Sequence, residues 1–171
     1  MTTIARIDAD LYHVPLPVTL SDSTHGEMTF FELVTARVRD GDGAEGVGYT
    51  FTVGANGRAA QQIIVHDMAP AVVGERADLI ERLWQKMWWK AHYGGRGGAA
   101  SLAISAMDIA LWDLKARRHG VPLWTLLGGY DAHVPCYAGG IDLWFPLEDL
   151  LKQTDGNLAK GFRAIKMKVG R

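Results

Sequence analysis

The spacing of apolar positions changes twice along the chain. Residues 4–12 mix apolar and charged side chains as a half-buried strand does, and Pro15 and Pro17 are expected to interrupt it. The polar stretch 21–27 (SDSTHGE) reads as a mobile loop. Residues 31–39 (FELVTARVR) alternate, with Leu33 among the apolar positions; the DGDG at 40–43 makes a tight reversal and 45–50 (EGVGYT) returns. Together these strands predict a small antiparallel sheet.

Helical spacing takes over next. Residues 57–69 place Ile63, Ile64 and Met68 on one face, and 76–90 line up Ile80, Leu83, Trp84, Met87 and Trp88, a stripe that reads as core packing. The run Gly94-Gly95-Arg96-Gly97-Gly98 leads into the most regular helix, about 99–118, which Gly120 ends. Ala103, Ala106 and Ala110 lie on one side of it and predict close approach of a neighbouring element. In the last third, 133–139 reads as a buried strand, 146–158 as a helix and 162–169 (FRAIKMKV) as a second strand. That order is a βαβ unit, which requires parallel pairing. The change of rhythm predicts two parts, 1–130 and 131–171.

With 171 residues, 48% of them hydrophobic and 22% charged, the chain is expected to fold as a globular protein. A complete (β/α)8 barrel needs roughly 200 to 250 residues and does not fit. Eighteen basic residues against 19 acidic ones make no general field for a nucleic acid or an anionic membrane. The single cysteine, Cys136, excludes an internal disulfide and gives no sign of a zinc cluster. Arg6, Asp8 and Asp10 stand where a signal peptide needs an apolar run. A cytoplasmic protein is expected.

Lys166-Met167-Lys168 is the sharpest local feature. Side chains alternate along a strand, so the two lysines share one face while Ile165, Met167 and Val169 share the other. If crossover helices cover the apolar face, the lysines line the opposite side, which in a closed barrel is the interior at the C-terminal strand ends where active sites lie. Two close ammonium groups in a partly dry site repel, which favours a neutral amine on one of them. Such an amine is a usable general base, and its charged neighbour can pair with a substrate carboxylate. Lysines two apart also decorate solvated strand faces and guard sheet edges, and the pair by itself does not separate the readings. The GGRGG run lacks the Lys-Ser/Thr ending of a P-loop and reads as a hinge or packed loop. His25 and His92 have no metal-ligand spacing around them. Asp108 and Asp113 are five apart, do not share a helix face, and are expected to make helix-surface contacts or caps.

Residues 103–128, AISAMDIALWDLKARRHGVPLWTLLG, closely resemble the signature of the mandelate racemase/muconate lactonizing enzyme group of the enolase superfamily. The resemblance rests on Ala103, Asp108, Ala110, Asp113, Lys115, Ala116, Arg117, Pro122, Leu123, Leu126, Leu127 and Gly128. It implies an α+β capping domain (antiparallel sheet plus helices) over 1–130, and over 131–171 the first βαβ unit of a truncated, TIM-like (β/α)7β barrel whose second strand ends in KxK. It implies that Lys168 removes a proton α to a carboxylate and that Lys166 helps neutralise that carboxylate. It also implies a magnesium ion that stabilises the enediolate, with ligands at the ends of the third to fifth barrel strands. Those ligands are expected beyond Arg171, so no metal-binding residue is expected in this chain. Two loops that close over substrate correspond to 21–27 and 49–56; His25, Tyr49 and Phe51 are the candidate substrate contacts, with ordinary loop packing as the alternative for each.

The stretches GAEGVGYTF, GRGGAASLAISAMDIALWDLKA and VPCYAGGIDLWFPLEDLL are most similar to acid-sugar dehydratases, such as those acting on galactarate or talarate. A mandelate-type racemase shares the scaffold and would return the proton where a dehydratase expels the β-hydroxyl. Homo-oligomerisation is implied as well, and Trp84, Trp88 and Trp89 fit either a subunit contact or the core. The favoured expectation is the N-terminal part of a longer enzyme, inactive as the isolated 171 residues. A stand-alone binding or assembly fragment, and an unrelated α+β binding protein with KMK on a surface edge, are the alternatives.

Overall fold

In the computed structural model, which describes residues 2–169, three strands form a sheet in the order β1 (Ile4–Asp22), β2 (Gly26–Asp40), β3 (Glu45–Thr52). Along β2 the even positions Val34, Ala36 and Val38 are buried, and Leu33 belongs to the other face. β3 pairs antiparallel with β2, Glu32 opposite Thr52 and Arg39 opposite Glu45. The reversal between them is closed by Asp40, whose Oδ1 accepts the N–H groups of Asp42 and Ala44.

Two expectations about β1 change. Pro15 and Pro17 do not interrupt it, because β1 is an edge strand of the sheet and a missing N–H there breaks no inner ladder. Most of 21–27 is strand rather than loop: Ser21 and Asp22 end β1, Gly26 and Glu27 begin β2, and only Ser23, Thr24 and His25 form the turn.

The chain divides into two compact units, one made of Met1–Val14 with Phe31–Tyr130, the other of Pro15–Phe30 with Asp131–Arg171. In the first, α1 (Gly57–Ile63), a π-helical turn (Ile64–Met68) and α2 (Ala69–Val72) follow one another. The wide turn ends at Met68, and Pro70, which has no N–H to donate back into that turn, sits in the first turn of α2. α3 (Ile80–Lys90) starts four residues later than its apolar spacing suggests, because Arg76 forms a bridge with Thr3 and the Ala77 N–H is used by the Thr2 carbonyl. Its stripe is core as expected: Ile80, Leu83 and Met87 are buried, and the half-buried Trp84 and Trp88 stack with centroids 5.0 Å apart. Each fully buried side chain of this size contributes roughly 1.5–3 kcal/mol.

α4 (Ala99–Arg118) lies against β3. The alanine face does what its small residues predict: opposite it stand Gly46 and Gly48, and a Cβ at Gly46 would fall 2.2 Å from the Ala110 carbonyl oxygen. Backbone therefore meets backbone. Asp113 adds a polar tie by accepting the Val47 N–H at 2.8 Å, the cap to a neighbouring element expected of it. The short α5 (Leu123–Leu126) follows.

The second unit contains β4 (Ala138–Gly139), α6 (Leu147–Ala159) and β5 (Ile165–Lys166). β4 and β5 pair in parallel, Ala138 with Ile165 and Gly139 with Lys166. The βαβ order is as expected, but both strands are much shorter than 133–139 and 162–169. Pro135 carries no N–H, and the sheet has only two strands to share hydrogen bonds. Val134, Leu147, Leu151 and Val169 are exposed, and no residue of α6 is buried.

Candidate functional site

In the second unit a single buried carboxylate organises the segment that carries the two lysines. β4 is followed by Gly140, whose N–H donates to the Lys166 carbonyl at 2.7 Å and prolongs the parallel ladder by one bond. Two residues on, Asp142 turns its side chain back. Its Oδ1 accepts the backbone N–H of Lys168 at 3.0 Å and its Oδ2 accepts the Gln153 amide of α6 at 2.7 Å. Asp142 is 3% exposed.

The same segment meets the end of β1. The Ser21 N–H donates to the Ile141 carbonyl at 3.1 Å, the Leu143 N–H to the Ser21 carbonyl at 3.3 Å, and the Trp144 N–H to Ser21 Oγ at 3.2 Å. Two residues beyond Ser21 begins the turn that carries His25. Asp22 Oδ1 accepts the N–H groups of Thr24 at 2.9 Å and His25 at 2.6 Å, and the His25 ring nitrogen Nδ1 lies 2.9 Å from Asp22 Oδ2. The His25 backbone N–H first, then its ring, hold the Asp22 carboxyl down at about 2.

Lys166 ends β5 and is exposed, its Nζ 3.4 Å from the Gly140 carbonyl oxygen; Lys168 is half-buried, two residues past the strand. Neither lysine forms an ion pair among the described residues. His25, Lys166 and Lys168 thus belong to one compact unit.

Tyr49 and Phe51 belong to the other unit, and they lie on β3 rather than on a loop. Their side chains are on the outward face of the sheet, 57% and 55% exposed, where Phe31 and Phe51 meet with ring centroids 5.7 Å apart. The loop proper is 53–56, and its two sides are joined by a residue that alternation alone marks only as inward-facing. Glu32 is buried on β2, and its Oε2 accepts the Thr52 hydroxyl at 2.5 Å and the Gly57 N–H at 3.0 Å. Thr52 above all, with the Gly57 N–H and His13, lowers the Glu32 carboxyl against the opposing effect of burial.

Sequence reasoning passed over Asp142, Ser21, Gln153 and Glu32. A signal for the first exists in the doublet Gly139-Gly140, since a Cβ at Gly140 would lie 2.0 Å from Asp142 Oδ2. Among the described residues no group of three or more His, Cys, Asp or Glu is arranged to hold a metal ion.

An antiparallel sheet backed by helices, followed by a parallel βαβ unit ending in two lysines, is the N-terminal capping fold of the enolase superfamily with the element that follows it. The family model for the mandelate racemase / muconate lactonizing enzyme N-terminal domain matches residues 2–128. The chain is 58% identical over 168 residues to 3,6-anhydro-alpha-L-galactonate cycloisomerase of Streptomyces coelicolor, covering 98% of this chain and 46% of that protein. It superimposes with TM-score 0.96 on a racemase from Streptomyces coelicolor with bound magnesium, at 58% identity over 98% of this chain and 47% of that one. A third likeness, TM-score 0.90 at 32% identity, is to L-talarate/galactarate dehydratase of Salmonella typhimurium liganded with magnesium and L-lyxarohydroxamate, covering 99% of this chain and 45% of that one. The chain belongs to the mandelate racemase/muconate lactonizing enzyme family of the enolase superfamily. It spans less than half the length of these relatives.

Proposed function

We propose that the chain is the N-terminal part of a longer enzyme that removes the α-proton of a sugar-acid carboxylate and expels the oxygen on the β-carbon. The observation that carries this reading is the placement of Lys166 and Lys168 at and just past the C-terminal end of the parallel strand β5, in a chain of this family. Lys168 takes the α-proton on its side-chain nitrogen, while Lys166 pairs with the substrate carboxylate. The C–H electron pair passes into the carboxylate to give an enediolate; its return forms the double bond between the α- and β-carbons and breaks the β-carbon–oxygen bond, and the oxygen leaves with its electron pair and takes up one proton, balancing the one held by Lys168. The resulting enol tautomerises to a 2-keto acid.

In an open-chain acid sugar the departing oxygen is a hydroxyl and the outcome is dehydration. In a 3,6-anhydro acid it is the ring ether, so the ring opens and no atom is lost. The identity of 58% to a cycloisomerase, against 32% to a dehydratase, supports testing the ring-opening form beside dehydration. A mandelate-type racemase would return the proton to the opposite face of the same intermediate.

Magnesium is held by relatives, but the described residues offer no ligand set for it, and its ligands are assigned to the remainder of the protein. That remainder also completes the (β/α)7β barrel in this reading, which accounts for the exposed apolar residues of α6 and the two-stranded sheet. The 171 residues alone are accordingly inactive. A cytoplasmic homo-oligomer without nucleic-acid or membrane partners belongs to the same proposal. A net charge of -1 supports the lack of a nucleic-acid partner, and no helix among the described residues is long and apolar enough to cross a membrane.

The test is α-proton exchange in deuterated water by the full-length protein with magnesium, across open-chain acid sugars, a 3,6-anhydro sugar acid and mandelate. Lys168→Ala is expected to abolish exchange while substrate still binds, and Lys166→Ala to weaken binding. Unchanged exchange in Lys168→Ala removes that residue from the role of base.

A further inference from the structure

The parallel ladder between β4 and β5 stops one step before it would reach Lys168. The N–H groups of Ala138 and Gly140 donate to the carbonyls of Ala164 and Lys166, so continuation of this register offers the Gly140 carbonyl to the Lys168 N–H. That bond is not made. The Lys168 N–H goes instead to Asp142 Oδ1, and the Gly140 carbonyl is left facing Lys166 Nζ. A side chain has replaced a main-chain acceptor at the position where the strand delivers its lysine.

We propose that Asp142 is a positioning residue for the reaction: its buried carboxylate fixes the main chain at Lys168, and through the adjoining backbone bonds to Ser21 it holds the root of the His25 turn to the same point. Three features support a built arrangement. Each carboxylate oxygen has a protein donor, Lys168 N–H on one and Gln153 on the other. A Cβ at Gly140 is excluded by Asp142 Oδ2 itself, so the glycine makes room for the carboxylate. Ile141 and Leu143, on either side of Asp142, bond both the N–H and the carbonyl of Ser21. A carboxylate accepting an N–H bonds about twice as strongly as a neutral acceptor, which suits an anchor. Lys168 would otherwise sit at the loose end of a two-residue strand.

The role in catalysis rests on the proposed function, and the test separates the two. In the full-length protein, hydrogen exchange at the Lys168 amide is measured beside α-proton exchange, kcat and KM. Asp142→Ala is expected to expose the Lys168 amide and to lower kcat about 10- to 100-fold with little change in KM, the effect of a base displaced by about 1 Å. Asp142→Asn keeps an acceptor oxygen at Lys168 and is expected to stay within about fivefold of the parent, with the same pH profile. Gln153→Leu frees one oxygen only and is expected to give an intermediate loss of amide protection; it carries the test if Asp142→Ala does not fold. Unchanged Lys168 amide protection in Asp142→Ala, or in Gln153→Leu where that variant stands in, overturns the proposal. So does a shifted pH profile in Asp142→Asn, since the carboxylate would then act by charge. Failure of Lys168→Ala to stop α-proton exchange overturns the proposed function alone, leaving the amide-exchange result to judge the anchor.

Discussion

Gly48 of β3 lies so close under α4 that a Cβ added to it would sit 2.1 Å from the Ala106 carbonyl oxygen. The obstacle is helix backbone, which cannot turn aside as a side chain can. Gly48→Ala is therefore expected to destabilise the protein by about 3 kcal/mol or more, at the upper end of overpacking effects. The neighbouring Val47 faces outward, and Val47→Ala is expected to change stability by no more than about 0.5 kcal/mol. Urea unfolding of both variants checks the pair; equal midpoints would show that β3 and α4 are not in backbone contact.

Asp40 and Arg118 join the β2–β3 reversal to the end of α4 across 78 residues of sequence. The Asp40 side chain is fully buried, and Arg118 also reaches Asp42 at 2.9 Å. Removing the cation leaves the buried Asp40 carboxylate without its charged partner, so Arg118→Met is expected to lower the urea midpoint. Adding Asp40→Asn to that variant is expected to recover part of the loss, because the amide oxygen still accepts the turn N–H groups and no charge remains. A double-mutant cycle in urea measures this; strictly additive effects would sever the pair.

What could be read in advance divides along physical lines. Alternation and helical spacing located the three-stranded sheet, the core stripe of α3 and the alanine face of α4, since each depends on residues near in sequence. The prolines of β1 misled because tolerance of a missing N–H depends on whether the strand is an edge, a property of the finished sheet. At the candidate site, alternation joined to the family signature singled out the two lysines, of which Lys166 ends β5 and Lys168 lies just past it. Asp142 was not, because its bond to Lys168 spans 26 residues and nothing local distinguishes an acid that turns inward from one that is solvated. Glu32 shows the same limit: strand phase points it inward, but its partners Thr52 and Gly57 come from the next elements.

Glu32 also gives an acid limit to stability. Its carboxyl is lowered in the folded protein, so its contribution is present above the ordinary glutamate range, near 4.3, and is lost as pH falls through the lowered folded value. Unfolding free energy measured from pH 6 downward is expected to drop through that window, and Glu32→Gln is expected to flatten the drop while lowering stability at pH 6. A parent profile and a Glu32→Gln profile of the same slope would show that the Thr52 and Gly57 bonds do not favour the ionised form.

Asp108 on α4 behaves in the opposite sense. Burial first, and the negative charge of Glu81 second, raise its carboxyl above the usual aspartate range. A raised acid favours folding while protonated, so this contribution is complete below the unfolded value of about 3.9 and is lost as pH rises through the folded value. At neutral pH the folded protein therefore carries a carboxylate it would hold more easily uncharged. Asp108→Asn is expected to raise the melting temperature at pH 7 and to leave it nearly unchanged at pH 3, where the parent aspartate is mostly protonated in both states. Glu81→Gln is expected to give a smaller gain at pH 7, because it relieves the lesser of the two causes. Melting curves of the three proteins at both pH values decide the matter: an Asp108→Asn variant less stable than the parent at pH 7 would mean that the carboxylate makes a favourable contact that outweighs its burial.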